Sequence, residues 1–190
     1  MGKVVAVATH ADSDPMHNDL YDSFKNDRTT NNSIPAFWVG DVKTTDLDEM
    51  TTLLSQTPIA GIGITSSING TTMTVNTQVK FFEDAEGEYY LSVLVLESGI
   101  DGSSSAGAYA QSGTNSPNSY QHDFVLRASS VEGNAYGELI LTDPVNGGTT
   151  DNSFEILLNS AWNKSVYPVA ILWKKDESST PNYKYINAAS

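Results

Sequence analysis

Between residues 71 and 82 apolar and polar side chains alternate. Met73, Val75, Val79 and Phe81 fall on one side, and Thr72, Thr74, Asn76, Gln78 and Lys80 on the other. Thr77 is the one polar residue on the apolar side. A period of two is the pattern of a strand with one face on a core and one in water. Asn69-Gly70, just before it, is a strong hairpin signal. Residues 59–69, with Ile62 and Ile64 on one face, are therefore expected as its antiparallel partner.

The same pattern continues toward the C-terminus. Stretches rich in Val, Ile, Leu and Tyr recur at 89–97, 120–128, 136–141, 153–158, 167–174 and 183–187, with turn residues between nearly every pair. With the hairpin this makes about eight strands after Pro58, the spacing of an antiparallel β-sandwich. Low charge (17% of residues) suits strands joined by turns better than helical bundles. Residues 98–119 read as one long loop with Gly99, Gly102, Gly113 and Pro117, and almost no aliphatic residue after Ile100. It is expected to be mobile and to carry no packing role.

Residues 1–58 follow another pattern. The run Val4-Val5-Ala6-Val7-Ala8 is short and does not alternate, as in a strand buried on both faces. Five apolar residues are too few for a secretory signal. A domain that opens on such a strand points to a chain cut from something longer. Asp14-Pro15 predicts a helix start with Asp14 as N-cap, and Met16, Leu20 and Phe24 share one face. Residues 34–40 predict a second strand, entered through Ile34-Pro35. Residues 46–54 predict a second helix with acidic groups in its first turn. The order is β-α-β-α up to Pro58. The fold class is α+β: an α/β segment over 1–58, then an antiparallel β-sandwich domain over 59–190.

Charge and composition exclude several functions. The formal net charge is −13, so nucleic acid and anionic lipid are poor partners. There is no Cys, hence no disulfide, thiol nucleophile or thiolate metal site within these 190 residues. No Gly-x-Ser-x-Gly elbow, phosphate loop or dinucleotide fingerprint occurs. No catalytic residue, cofactor or metal ligand is assigned. His10, Asp12, Asp14 and His17 could gather at one loop, but their spacing matches no known ligand pattern; solvated loop residues and a helix cap account for them. Asp101-Gly102-Ser103 does not match a calcium loop.

The most unusual stretch is 120–127. On one strand Tyr120, His122, Phe124 and Leu126 would share a face, and Asp123 and Arg127 the other, so His122 and Asp123 would not form a catalytic pair. Arg127 is expected to pair with Glu97 on a neighbouring strand. Glu97, Tyr120, His122 and Arg127 together form the candidate binding or structural motif.

A family resemblance rests on these residues. Leu91, Val93, Val95, Glu97 and Ile100 fit an L-x-V-x-V-x-E-x-x-I strand. Tyr120, His122, Leu126 and Arg127 fit a Y-x-H-x-x-x-L-R strand, and Val169-Ala170-Ile171-Leu172 a later apolar one. With Gly137-Glu138-Leu139-Ile140, the chain resembles the 28-kilodalton outer-membrane protein family of Bacteroidetes-type bacteria. The resemblance implies a thioredoxin-like type for the N-terminal part, in which residues 4–9 with His10 match the strand after the redox helix. It also implies an outer-membrane or cell-surface lipoprotein with a receptor- or adhesin-like role and host proteins or glycans as partners. Membrane association would come only through a lipid anchor that this sequence lacks. The family's lipobox Cys and Cys-x-x-Cys helix would lie upstream, so the alternative is a thioredoxin-like redox protein whose active helix is outside these residues.

Overall fold

The computed structural model describes residues 4–28, 35–103, 108–162 and 165–190. Ile34, the start of the expected second strand, and residues 104–107 of the long loop lie outside them. The architecture is an α/β N-terminal region followed by an antiparallel β-sandwich. The elements run α1 (Leu20–Arg28), β1 (Trp38–Val39), β2 (Val42–Lys43), α2 (Asp48–Ser55), β3 (Ala60–Asn69), β4 (Thr72–Phe81), β5 (Glu88–Ser98), β6 (Ile100–Asp101), β7 (Gln121–His122), β8 (Val125–Ser129), β9 (Glu138–Thr142), β10 (Thr149–Leu157), β11 (Ser165–Lys175) and β12 (Tyr183–Ala189).

One sheet of the sandwich has the order β10-β4-β3. The other has the order β12-β11-β5-β8, and β9 also pairs with β5. The predicted hairpin is β3–β4, with Asn69 opposite Thr72. Gly70 takes the left-handed φ of 61° that the tight turn needs. Met73, Val75, Val79 and Phe81 meet Tyr89, Leu91, Val93 and Val95 of β5, Ala170 and Leu172 of β11, and Phe154 and Ile156 of β10 between the sheets. Thr77, buried on the same face, donates its hydroxyl to the Asn152 carbonyl. The polar residue that breaks the alternation is thus satisfied at small cost.

β5 and β11 are buried on both faces. The alternate residues Leu94, Leu96, Val169, Ile171 and Trp173 belong to a second core with Leu20, Leu126 and Tyr136, flanked by Val5, Val7 and Phe24. The N-terminal region therefore lies on the outer face of the five-stranded sheet as a third layer. We propose that the division near Pro58 separates this layer from the folding unit beneath it. Residues 59–190 alone should keep a β-type circular dichroism spectrum and a cooperative transition. The transition should be shifted to lower temperature, because each large side chain uncovered forfeits about 1.5–3 kcal/mol. A molten product would place residues 1–58 in the same folding unit.

Three local expectations change. Residues 4–9 form no regular strand; among the described residues they join the sheet through a parallel bridge between Ala8 and Val125. Val4 is 55% exposed, so the run is not buried on both faces. Asp14-Pro15 forms a turn rather than a helix start: His17 N–H bonds to the Asp14 carbonyl, and Met16 N–H to the Asp14 side chain. The Asp-Pro pair is equally a turn signature. The helix begins at Leu20, where Asn18 Oδ1 accepts from the Leu20 N–H. The second strand is only Trp38–Val39, folded back on Val42–Lys43 through Gly40-Asp41.

Candidate functional site

The stretch at 120–127 is two strands, not one. Phe124 has a left-handed φ of 61°, rare for a bulky residue. Its N–H bonds to Ser98 Oγ, while Asp123 Oδ1 accepts from the Gly99 N–H. The break separates β7 from β8 and resets which side chains share a face. β8 then carries a bulge: Leu126 faces Leu96 and Ala128 faces Val95, which leaves Arg127 as the extra residue. A bulge re-aims the side chain at its centre. Arg127 Nε donates to Glu97 Oε2 at 2.9 Å, with both side chains almost wholly buried.

Tyr120 and His122 form a second contact, with rings 4.8 Å apart. His122 is buried, and its Nε2 donates to the Tyr109 carbonyl at 2.7 Å, so that nitrogen carries the proton. The His10 ring lies 5.9 Å from it. Ile100, Met16 and Val125 form a small core here, with Tyr109 packed against it. Both flanks of the long loop therefore pack, contrary to expectation; β6 pairs with β7, and Gly102 N–H bonds to the Tyr120 carbonyl. The four candidate residues thus make two contacts, Glu97–Arg127 and Tyr120–His122.

The four residues of the suspected metal loop also divide. His10 Nδ1 donates to Asp14 Oδ2 at 2.9 Å, and His17 Nε2 lies 3.5 Å from Asp12. Asp22, unforeseen from sequence, brings a carboxylate within 4.8 Å of the Asp12 and His17 ligand atoms. Lys25 Nζ stands 3.4 Å from Asp12 and already balances its charge. Burial alone would push the Asp14 carboxyl up. The bonds it accepts from His10 and the Met16 N–H outweigh this and hold it below the usual carboxylate range. A depressed folded-state pKa contributes stability above the unfolded value of 3.8, and loses it as pH falls through the folded value. Asp14→Asn should therefore flatten the acid limb of the stability profile, by under about 1 kcal/mol because the carboxylate is partly exposed. An unchanged limb in urea titrations below pH 4 would contradict the tie.

A cavity of about 700 Å³ lies between the N-terminal layer and the five-stranded sheet. Ile171, Trp173, Tyr185 and Ala188 line it from the sheet, and Val5, Val7, Phe24, Trp38 and Leu53 from the layer. Val4, Phe37 and Leu54, about half exposed, mark its mouth. Arg28, 6% exposed, sits at one wall with its guanidinium over the rings of Trp38, Tyr136 and Trp173. It donates to Asp27, to the Tyr136 hydroxyl and to the Gly40 carbonyl, and lies 3.5 Å from Asp41. Burial pushes the Tyr136 hydroxyl far above its usual range; Arg28 opposes this and the bond to Asp27 adds to it. Burial likewise raises the Asp41 carboxyl above its ordinary value, against the Tyr185 N–H bond and Arg28. Sequence reasoning missed this cluster. Its members come from α1, the β1–β2 hairpin, the segment before β9 and β11, and no local spacing connects them.

No protein-family model and no curated protein matches the chain. Among solved structures, HBP35 of Porphyromonas gingivalis is similar: the TM-score is 0.66 over 90% of this chain, at 17% identity. The chain spans 55% of the length of that HBP35 chain. At this identity the likeness is one of fold.

Proposed function

We infer that the chain is a non-enzymatic binding domain of the bacterial envelope, associated with the outer membrane, and that its ligand enters the cavity under the N-terminal layer. The cavity carries this reading. Its volume lies within the roughly 300–1,000 Å³ of ligand pockets, and aromatic and aliphatic side chains dominate its walls. The outer-membrane address rests on the motifs at 88–140, with a fold like that of HBP35 as support. Thiol–disulfide exchange has no cysteine to run on within these residues. Among the described residues no helix is long and apolar enough to cross a membrane.

A second reading is adhesion to host proteins or glycans at the loop end of the sandwich. Tyr120 and Phe124, both more than 40% exposed, favour it, because exposed aromatics suit sugar and protein contacts.

The first reading is tested with anilinonaphthalene sulfonate, an anionic dye that fluoresces in apolar surroundings, added to the full chain. The expected result is saturable emission with the near-ultraviolet circular dichroism of the folded protein intact. Leu53→Glu, which puts a charge on the cavity wall, should weaken the signal about tenfold or more. Equal dye binding by the variant would place the dye elsewhere and sink the reading.

A further inference from the structure

Among the described residues the sandwich has edge strands at β3 and β10 in one sheet and at β12, β8 and β9 in the other. An open edge is a template for another strand, and natural proteins blunt it with charges, prolines, bulges or short strands. β10 carries Asp151 and Glu155, and β12 carries Lys184 beside a register shift in its pairing. β8 and β9 have five residues each and pair with shifted register. β3 has none of these devices. It is ten residues long, holds no charged residue and no proline, and pairs with β4 in unbroken register.

Two bonds show which backbone groups face the open side. The Phe82 N–H bonds to the Ile59 carbonyl, toward β4, while the Ala60 carbonyl accepts from the Asn187 side chain on β12. Backbone groups alternate between the two sides of a strand, so the N–H and C=O of Ile62, Ile64, Ser66 and Ile68 face the open side with those of Ala60. Ile62 lies opposite Val79 and Ile68 opposite Met73, so these isoleucines stand on the core face of the sheet. Ile68 is nonetheless half exposed. Charge points to the occupant. In a chain of net charge −13, residues 60–81 carry one charged residue, Lys80, so a second copy meets no acid along β3 or β4.

We propose that β3 is a dimer edge: two copies of the chain pair antiparallel through residues 61–69, about a two-fold axis at Thr65, and join their three-stranded sheets into one. This register sets Ile62 opposite Ile68 of the second copy, Ile64 opposite Ser66, and Thr65 opposite itself. The pairs at 62, 64, 66 and 68 are those whose backbone groups face the open side, so each can exchange both of its bonds. The isoleucine pairs prolong the core face, and small uncharged residues meet on the other. The bond between Ala60 and Asn187 stays intact, because the pairing starts at residue 61. The long-range repulsion of two acidic chains works against the contact, so the dimer is weak and tightens as salt screens it. The proposal is independent of the cavity, whose lining reaches Ile59 and includes no residue of β3.

The test is sedimentation equilibrium of the full chain across micromolar to millimolar concentrations, at low and at high salt. A monomer–dimer equilibrium that tightens with salt is expected. Thr65 is exposed, so Thr65→Lys and Thr65→Glu should keep the circular dichroism of the folded protein. Each sets two like charges face to face on the axis and should weaken its own dimer at low salt by about tenfold or more. Mixing the two variants sets Lys against Glu and should restore a dimer with one copy of each. A chain that stays monomeric at high salt would overturn the proposal and leave the edge to a strand of another protein. A dimer that Thr65→Lys does not weaken would place the contact on another surface and overturn it too. Variants that weaken their own dimers yet fail to pair with each other would overturn the register about Thr65.

Discussion

Gly137→Ala should cost more than about 4 kcal/mol and leave little folded protein. Between β8 and β9 the chain leaves the edge of β5, holds it by the bond from Ser130 N–H to the Val93 carbonyl, and returns over Leu91. A Cβ at Gly137 would lie 2.0 Å from the Leu91 carbonyl oxygen and 2.6 Å from Ser92 Cα. These are backbone atoms of a strand paired on its other edge along its whole length by β11, so they cannot give way. Gly137 also has a φ of 75°. Gly133→Ala is the control. Its φ is 69°, but nothing lies within 4 Å of the added carbon, so only the left-handed strain of about 1–2 kcal/mol applies. Urea denaturation of the two variants should separate them clearly. Similar losses would mean that φ alone sets the requirement and that contact with β5 does not matter.

The second large effect is expected at Glu97 and Arg127. Removing either partner leaves the other charge buried at the junction of β5 and β8, which typically costs about 3–5 kcal/mol. Glu97→Ala and Arg127→Ala should each lose that much, and the double variant much less than the sum. Additive losses in a double-mutant cycle would break the pairing. A small loss for Arg127→Ala together with loss of ligand would turn Arg127 into a recognition residue.

This pair was legible in the sequence because an intervening loop returns the chain beside β5, although Arg127 reaches Glu97 from a bulge inside the short β8 and not from the end of a long strand. The alternation over 71–82 was legible for the same reason: a half-buried strand writes its burial into every second residue. The break at Phe124 was not. A non-glycine residue with positive φ leaves no local signature, and here the hydroxyl of Ser98, on another strand, meets its N–H. The start of α1 was misread because Asp14-Pro15 serves turns and helix caps alike, and Asn18 four residues on supplied the cap. The cage around Arg28 and the cavity beside it were invisible. They are made by segments more than a hundred residues apart, and a void has no residue of its own.

That β5 serves two cores at once has a kinetic consequence. Its odd-numbered side chains, Leu91, Val93 and Val95, face the other sheet, and its even-numbered Leu94 and Leu96 face the N-terminal layer. Its backbone is bonded to β11 on one side and to β8 and β9 on the other. Lifting the N-terminal layer leaves those backbone bonds in place, and so does loosening the far sheet. Amide hydrogens of residues 89–96 should therefore exchange with solvent only when the whole molecule unfolds. Those of residues 60–69, on a strand that among the described residues pairs with a strand along one edge only, should exchange through smaller openings. The protein's slowest clock is thus set in one strand, and hydrogen exchange there would report global stability even while the surface layer opens and closes.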